Sequence, residues 1–135
     1  MSKSLYTYKI DEVLNVVDGD TLDVLLDLGF KVFLKVRIRL KGINAPETRT
    51  RNKKVKEYGY RALDKLTEYL NRGTDIIVAT EKPNSTGKYG RTIGDVYVEG
   101  ENLTASEYML ANHYAWVYIE EKKNYNLNDL KPLNE

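Results

Sequence analysis

The chain has 135 residues, 41% hydrophobic and 30% charged, with a formal net charge of +1. That length suits one domain with a single core, and a balance so near neutral names no partner by itself. There is no cysteine and only one histidine, His113, which excludes disulfides, thiolate metal sites, cysteine nucleophiles and paired-histidine acid–base chemistry.

The first ten residues lack an apolar core and a cleavage pattern. As written, the protein is expected to act in the cytoplasm, or to be secreted if an export signal has been removed. Its apolar runs are too short to cross a bilayer, so no membrane association is expected. A strand is predicted through about 8–17, entering a tight Asp18-Gly19 turn where glycine permits a sharp backbone path. Residues 21–28 alternate Leu22, Val24, Leu26 and Leu28 with Asp23, Leu25 and Asp27. After a Gly29-Phe30 turn, residues 31–40 give the clearest strand. Val32, Leu34, Val36, Ile38 and Leu40 oppose Lys31, Phe33, Lys35, Arg37 and Arg39. That period buries the aliphatic side and turns Arg39 to the other face.

From 55 to 71 the period changes: Val55, Tyr58, Ala62, Leu66, Tyr69 and Leu70 recur at helical spacing, with Gly73 placed as a stop. Residues 76–79 and 93–98 read as strands, joined by a turn-rich loop that leads to Lys88-Tyr89-Gly90-Arg91. A second helix should start at Thr104, which has capping-box spacing to Glu107, and end near Asn112. His113 follows in a helix-end role. Residues 115–119 read as a short extended segment, with Trp116 assigned to the core. The tail from 120 to 135 is rich in asparagine and should form at most one helical turn. Pattern alone supports a mixed, β-rich domain with two or three helices.

Four segments carry the chemistry: Asp18-Gly19-Asp20-Thr21, Arg39, Asn44-Ala45-Pro46-Glu47-Thr48 and Lys88-Tyr89-Gly90-Arg91. Singly they read as a hairpin turn, a surface arginine and two loops. The first lacks the EF-hand pattern and the last lacks the P-loop pattern. Together they offer oxygen ligands for a hard divalent cation, a spare carboxylate, and two arginines able to grip one phosphate from different sides. Residues 49–61 add six basic side chains against the single acid Glu57. Alone this is a solvated helix face; directly after Glu47 it reads as a phosphate-attracting rim.

In order and in gaps, these blocks resemble the staphylococcal (micrococcal) nuclease family over residues 6–119. The resemblance implies an α+β, β-rich fold: a five-stranded Greek-key barrel of the oligonucleotide-binding type with two to three helices. It forms a single domain over 1–135, with a short tail from 120. It implies Ca²⁺ as cofactor, held by Asp20, the Asn44 side chain and the Ala45 carbonyl, with Asp18 in support and Glu47 acting through water. It puts Arg39 and Arg91 on the scissile phosphate, Lys88, Tyr89 and Lys53 on flanking phosphates and bases, and Tyr118 as a stacking surface. The implied activity is calcium-dependent endonucleolytic hydrolysis of single-stranded or frayed DNA, RNA being left open, with 3′-phosphate products and a monomeric enzyme.

Asn44 departs from the aspartate common at that place and brings an oxygen without a charge. The alternative is therefore a nucleic-acid-binding module on the same barrel with weak or lost catalysis. A third class is a protein-interaction domain.

Overall fold

The computed structural model describes residues 6–80 and 92–134. Strands β1 (Tyr6–Asp18), β2 (Thr21–Asp27) and β3 (Phe33–Leu40) form an antiparallel meander. A two-residue strand, β4 (Ile43–Asn44), and helix α1 (Lys53–Leu70) follow, then β5 (Ile76–Thr80) and β6 (Thr92–Val98). Among the described residues the barrel closes in the order β1-β2-β3-β6-β5, with β3 and β6 parallel and β5 returning to β1. Helix α2 (Ala105–Ala111) and strand β7 (Trp116–Val117) complete the chain before the tail, and β7 pairs with β4. The fold class is thus the expected one, a β-rich closed barrel with two helices.

Closure depends on β1. Its pairing with β2 carries three register shifts, and each extra residue bends the strand and adds twist. The bent strand serves two walls, lying against β2 along its length and against β5 through Tyr6–Ile10. Leu22, Val24, Ile38, Leu40, Leu66, Val78, Val96 and Met109 fill the interior and are almost wholly buried.

The alternation in β3 holds only over its second half. Ile38 and Leu40 are buried, whereas Val32, Leu34 and Phe33 are each about half exposed. The reason is topological. Strand β6 pairs only with Ile38–Leu40, so among the described residues the earlier part of β3 is paired on its β2 side alone.

Helix α1 buries Tyr58, Ala62, Leu66, Tyr69 and Leu70, the stripe read from the sequence. The Asn52 side chain caps it by accepting from the Lys54 and Val55 amides. It stops at Leu70 with Asn71 as cap, two residues short of Gly73. At α2 both halves of the Thr104–Glu107 capping box are formed. His113 takes the expected helix-end position, with φ of 58°.

The tail contains one 3-10 turn, Leu127–Asp129. It is anchored by buried Leu130, by the Lys131 amide on the His113 carbonyl, and by Nη1 of Arg61, which donates to the Pro132 carbonyl at 2.9 Å. The Arg61 guanidinium lies 5.2 Å from the rings of both Tyr58 and Tyr114, and its burial there lowers its pKa. Trp116 is not a core residue. It is half-buried, donates its indole N–H to the Asn126 carbonyl at 2.9 Å, and packs on Tyr125 with ring centroids 5.1 Å apart.

Candidate active site

The site is assembled on α1. A Cβ at Gly19 would lie 2.5 Å from Cβ of Ala62, and one at Gly59 would lie 2.5 Å from the Glu47 carbonyl oxygen. Small residues at these contacts let the Asp18–Thr21 turn and the Asn44–Thr48 segment dock on one helix. Glycine at position 19 therefore answers to close approach. Its φ is not positive, so the sharp-turn reason expected from the sequence is not the operative one.

Two carboxylates tie these segments together. Asp18 Oδ1 accepts from the Thr48 amide at 3.0 Å and its hydroxyl at 2.9 Å. Asp20, 6% exposed, accepts the Thr21 hydroxyl on Oδ1 at 2.7 Å and the Ala45 amide on Oδ2 at 2.8 Å. Arg39 lies opposite Thr21 across the β2–β3 pair, on the face predicted for it. Its Nη1 is 2.8 Å from Asp20 Oδ2. That contact meets ion-pair distance without hydrogen-bond alignment, so this buried nitrogen keeps a proton with no aligned acceptor among the described residues. The Tyr118 ring stands 5.7 Å from the same guanidinium. The β4–β7 pair sets Asn44 opposite Trp116, and the Tyr118 amide donates to the Gly42 carbonyl.

These residues line a cleft of about 450 Å³. Asp20, Arg39, Asn44, Ala45 and Glu47 are all on it, and Glu47 is exposed. Tyr118 meets it through Arg39. Lys53 does not line it: it borders a separate groove on the outer side of α1 with Lys56, Tyr60 and Arg61, next to Val55, which does face the cleft. Lys88, Tyr89 and Arg91 lie outside the described residues; β6 begins directly after them with Thr92 beside Ile38.

Four further lining residues carried no motif: Trp116, Lys123, Tyr125 and Leu127. Trp116 had a readable signal, since residues two apart in an extended segment share a face and Tyr118 was already a candidate. The other three depend on how the tail folds back.

The candidate ligands Asp20, Asn44 and the Ala45 carbonyl offer oxygen, which suits a hard cation. Among the described residues no three acidic or histidine side chains are placed to hold one ion together, so a cation here would meet few charged ligands. Asp20 retains lone pairs beyond those already engaged, because a carboxylate offers about four acceptor sites. The set fits a weakly held hard cation.

A family model described as staphylococcal nuclease homologue matches residues 37–134. The chain belongs to the staphylococcal nuclease family. The match takes in Arg39, the Asn44–Thr48 segment, both helices and most of the tail, and the Asp18–Thr21 turn joins it through Asp20. Among relatives, micrococcal nuclease of Shigella flexneri is 31% identical over 114 residues, 79% of this chain and 57% of that protein. The staphylococcal-like nuclease CAN1 of Arabidopsis thaliana is 34% identical over 90 residues, 66% of this chain and 24% of that protein. The uncharacterized protein MJ1439 of Methanocaldococcus jannaschii is 31% identical over 136 residues, 87% of this chain and 62% of that protein. This staphylococcal nuclease homologue spans 62% or less of each of these relatives.

Proposed function

We propose that the protein is a calcium-dependent phosphodiester hydrolase that cleaves single-stranded or frayed DNA, with RNA as a second substrate to be tested. The observation that carries this is the cleft itself. In one place it gathers a buried guanidinium nitrogen with no aligned acceptor among the described residues, a hydrogen-bonded carboxylate 2.8 Å from it, and the exposed carboxylate of Glu47. Family membership and the nuclease names of two relatives support the same reading.

Attack on a phosphodiester raises negative charge on its non-bridging oxygens. Arg39 would turn an N–H to one of them. Arg91 is proposed as the second guanidinium, donating toward the departing 5′ oxygen so that a 3′-phosphate remains. Glu47 would orient or deprotonate the attacking water, since it is the lining carboxylate free of hydrogen bonds among the described residues. Asp20, Asn44 and the Ala45 carbonyl would hold the cation, with Asp18 keeping Thr48 and so the segment in place. Bound there, a calcium ion supplies charge neutralisation at the phosphate and acidifies its water. Lys53, Lys88, Tyr89 and Tyr118 are assigned to flanking phosphates and bases.

Heat-denatured DNA mixed with the protein, in calcium or in chelator, tests the proposal. Cleavage that needs calcium and leaves 3′-phosphate ends is expected. Binding without cleavage in either condition would favour the binding-module reading, which the low charge of the metal set supports.

A further inference from the structure

We infer that the tail supplies a substrate subsite of its own, in which Lys123, positioned by Tyr125, contacts a phosphate next to the scissile one. This rests on the nuclease reading and extends it to a segment outside the four motif blocks.

Tyr125 fixes the loop that carries Lys123 at both ends. Its ring packs on Trp116, while its hydroxyl lies 3.2 Å from the Ile119 amide and 3.3 Å from the Ile119 carbonyl. Next to it the Asn126 carbonyl accepts the Trp116 indole N–H, so the loop is closed against β7. Within it the two lysines separate. Lys122 sits 4.9 Å from the centre of the Tyr125 ring, whereas Lys123 lines the cleft. Lys123 forms no ion pair or hydrogen bond among the described residues.

Charge gives the subsite its purpose. The described cleft lining holds Asp18, Asp20 and Glu47 against two cations, Arg39 and Lys123. Arg39 sits against Asp20 and is assigned to the scissile phosphate, so Lys123 is the described lining cation left for a neighbouring phosphate. An ammonium suits that task, because a point charge attracts phosphate without demanding the bidentate geometry of the reacting centre. Lysine–phosphate contacts along a strand also release counterions, which makes the effect measurable.

The test uses the full chain, a single-stranded thymidine oligonucleotide as probe, and chelator to prevent cleavage during binding measurements. Lys123→Gln should weaken binding about 3- to 10-fold and reduce the slope of log affinity against log salt by roughly 0.7, the share of one phosphate on a single strand. With calcium, KM should rise by a similar factor while kcat stays within about twofold, the pattern of a contact equal in ground and transition states. Lys123→Arg should restore both. Tyr125→Ala should reproduce the binding loss by releasing the loop, and Lys122→Gln should have less than half the effect. An unchanged affinity and salt slope in Lys123→Gln would overturn the inference, as would an equal effect from Lys122→Gln. A wild-type protein that neither binds nor cleaves would count against the proposed function. A wild-type protein that does both beside an indifferent Lys123→Gln would count against this subsite alone.

Discussion

Arg39 and Asp20 illustrate how much one residue's chemistry depends on its neighbour. The guanidinium is held at 2.8 Å from a carboxylate oxygen that already accepts the Ala45 amide, and it keeps a proton in reserve. Lysine at position 39 would preserve the charge and lose the planar fork. Arg39→Lys should therefore lower kcat about 100-fold or more with KM changed only a few-fold; equal turnover in steady-state assays would remove Arg39 from the transition state. Asn44 brings an oxygen without a charge. A carboxylate beside a divalent ion gains roughly a few kcal/mol over an amide at surface-like screening, part of it offset by desolvation. Asn44→Asp should lower the calcium concentration needed for half-maximal cleavage, and calorimetry should show tighter binding without DNA. Elsewhere, the hydrogen bond from Arg37 holds the Asp23 carboxyl below its ordinary value of 3.8. That pair stabilises fully above the ordinary value and loses its contribution as pH falls through the lowered one. Because Arg37 is half exposed, Asp23→Asn should cost only about 0.5 kcal/mol at pH 7 in chemical denaturation, and the difference should shrink as the medium is made acid. At this scale the sequence spoke clearly where a local period decides direction, as for Arg39. It was silent for Lys123, whose direction is decided by a ring contact between Tyr125 and Trp116.

Among the elements, α1 is the platform on which the site is built. Two segments, bonded to each other through Asp18 and Asp20, reach it through Gly19–Ala62 and through Gly59–Glu47 contacts. A methyl group at position 59 would have to displace the Glu47 backbone. Gly59→Ala should destabilise by about 1–3 kcal/mol, and it should lower turnover more than a core change of equal cost placed away from the cleft. Thermal unfolding and kcat measured on the same samples would separate the two effects. The capping box of α2 offers a control with no route to the cleft chemistry. Thr104→Ala should cost about 1 kcal/mol in stability and leave turnover intact. Helical periodicity and the Thr104–Glu107 spacing made both helices legible in the sequence. The exposed first half of β3 was not, because a period of two distinguishes two faces without saying whether a second layer covers either.

For the whole molecule, near-neutral net charge conceals an uneven distribution, with the basic run of 49–61 following directly on Glu47. Lys53 and Lys54 lie on the first turn of α1, outside the cleft but beside Val55, which lines it. Neutralising both should weaken DNA binding and flatten its salt dependence, with turnover at saturating substrate unchanged; an unaltered slope would make the run a solvated face. The barrel's closure came from the family resemblance, since the β3–β6 and β1–β5 pairings join residues far apart in sequence and leave no local periodic trace. Residue, helix platform and basic rim meet in one cleft, proposed to perform metal-assisted hydrolysis with Glu47 at the water. The most direct measurement is the initial rate of single-stranded DNA cleavage in calcium by wild type and Glu47→Gln, with oligonucleotide affinity measured alongside. The wild-type rate should be abolished by chelator, and the Glu47→Gln rate should be about 100-fold lower at undiminished affinity. A Glu47→Gln rate equal to wild type, or cleavage that persists in chelator, would contradict that proposal.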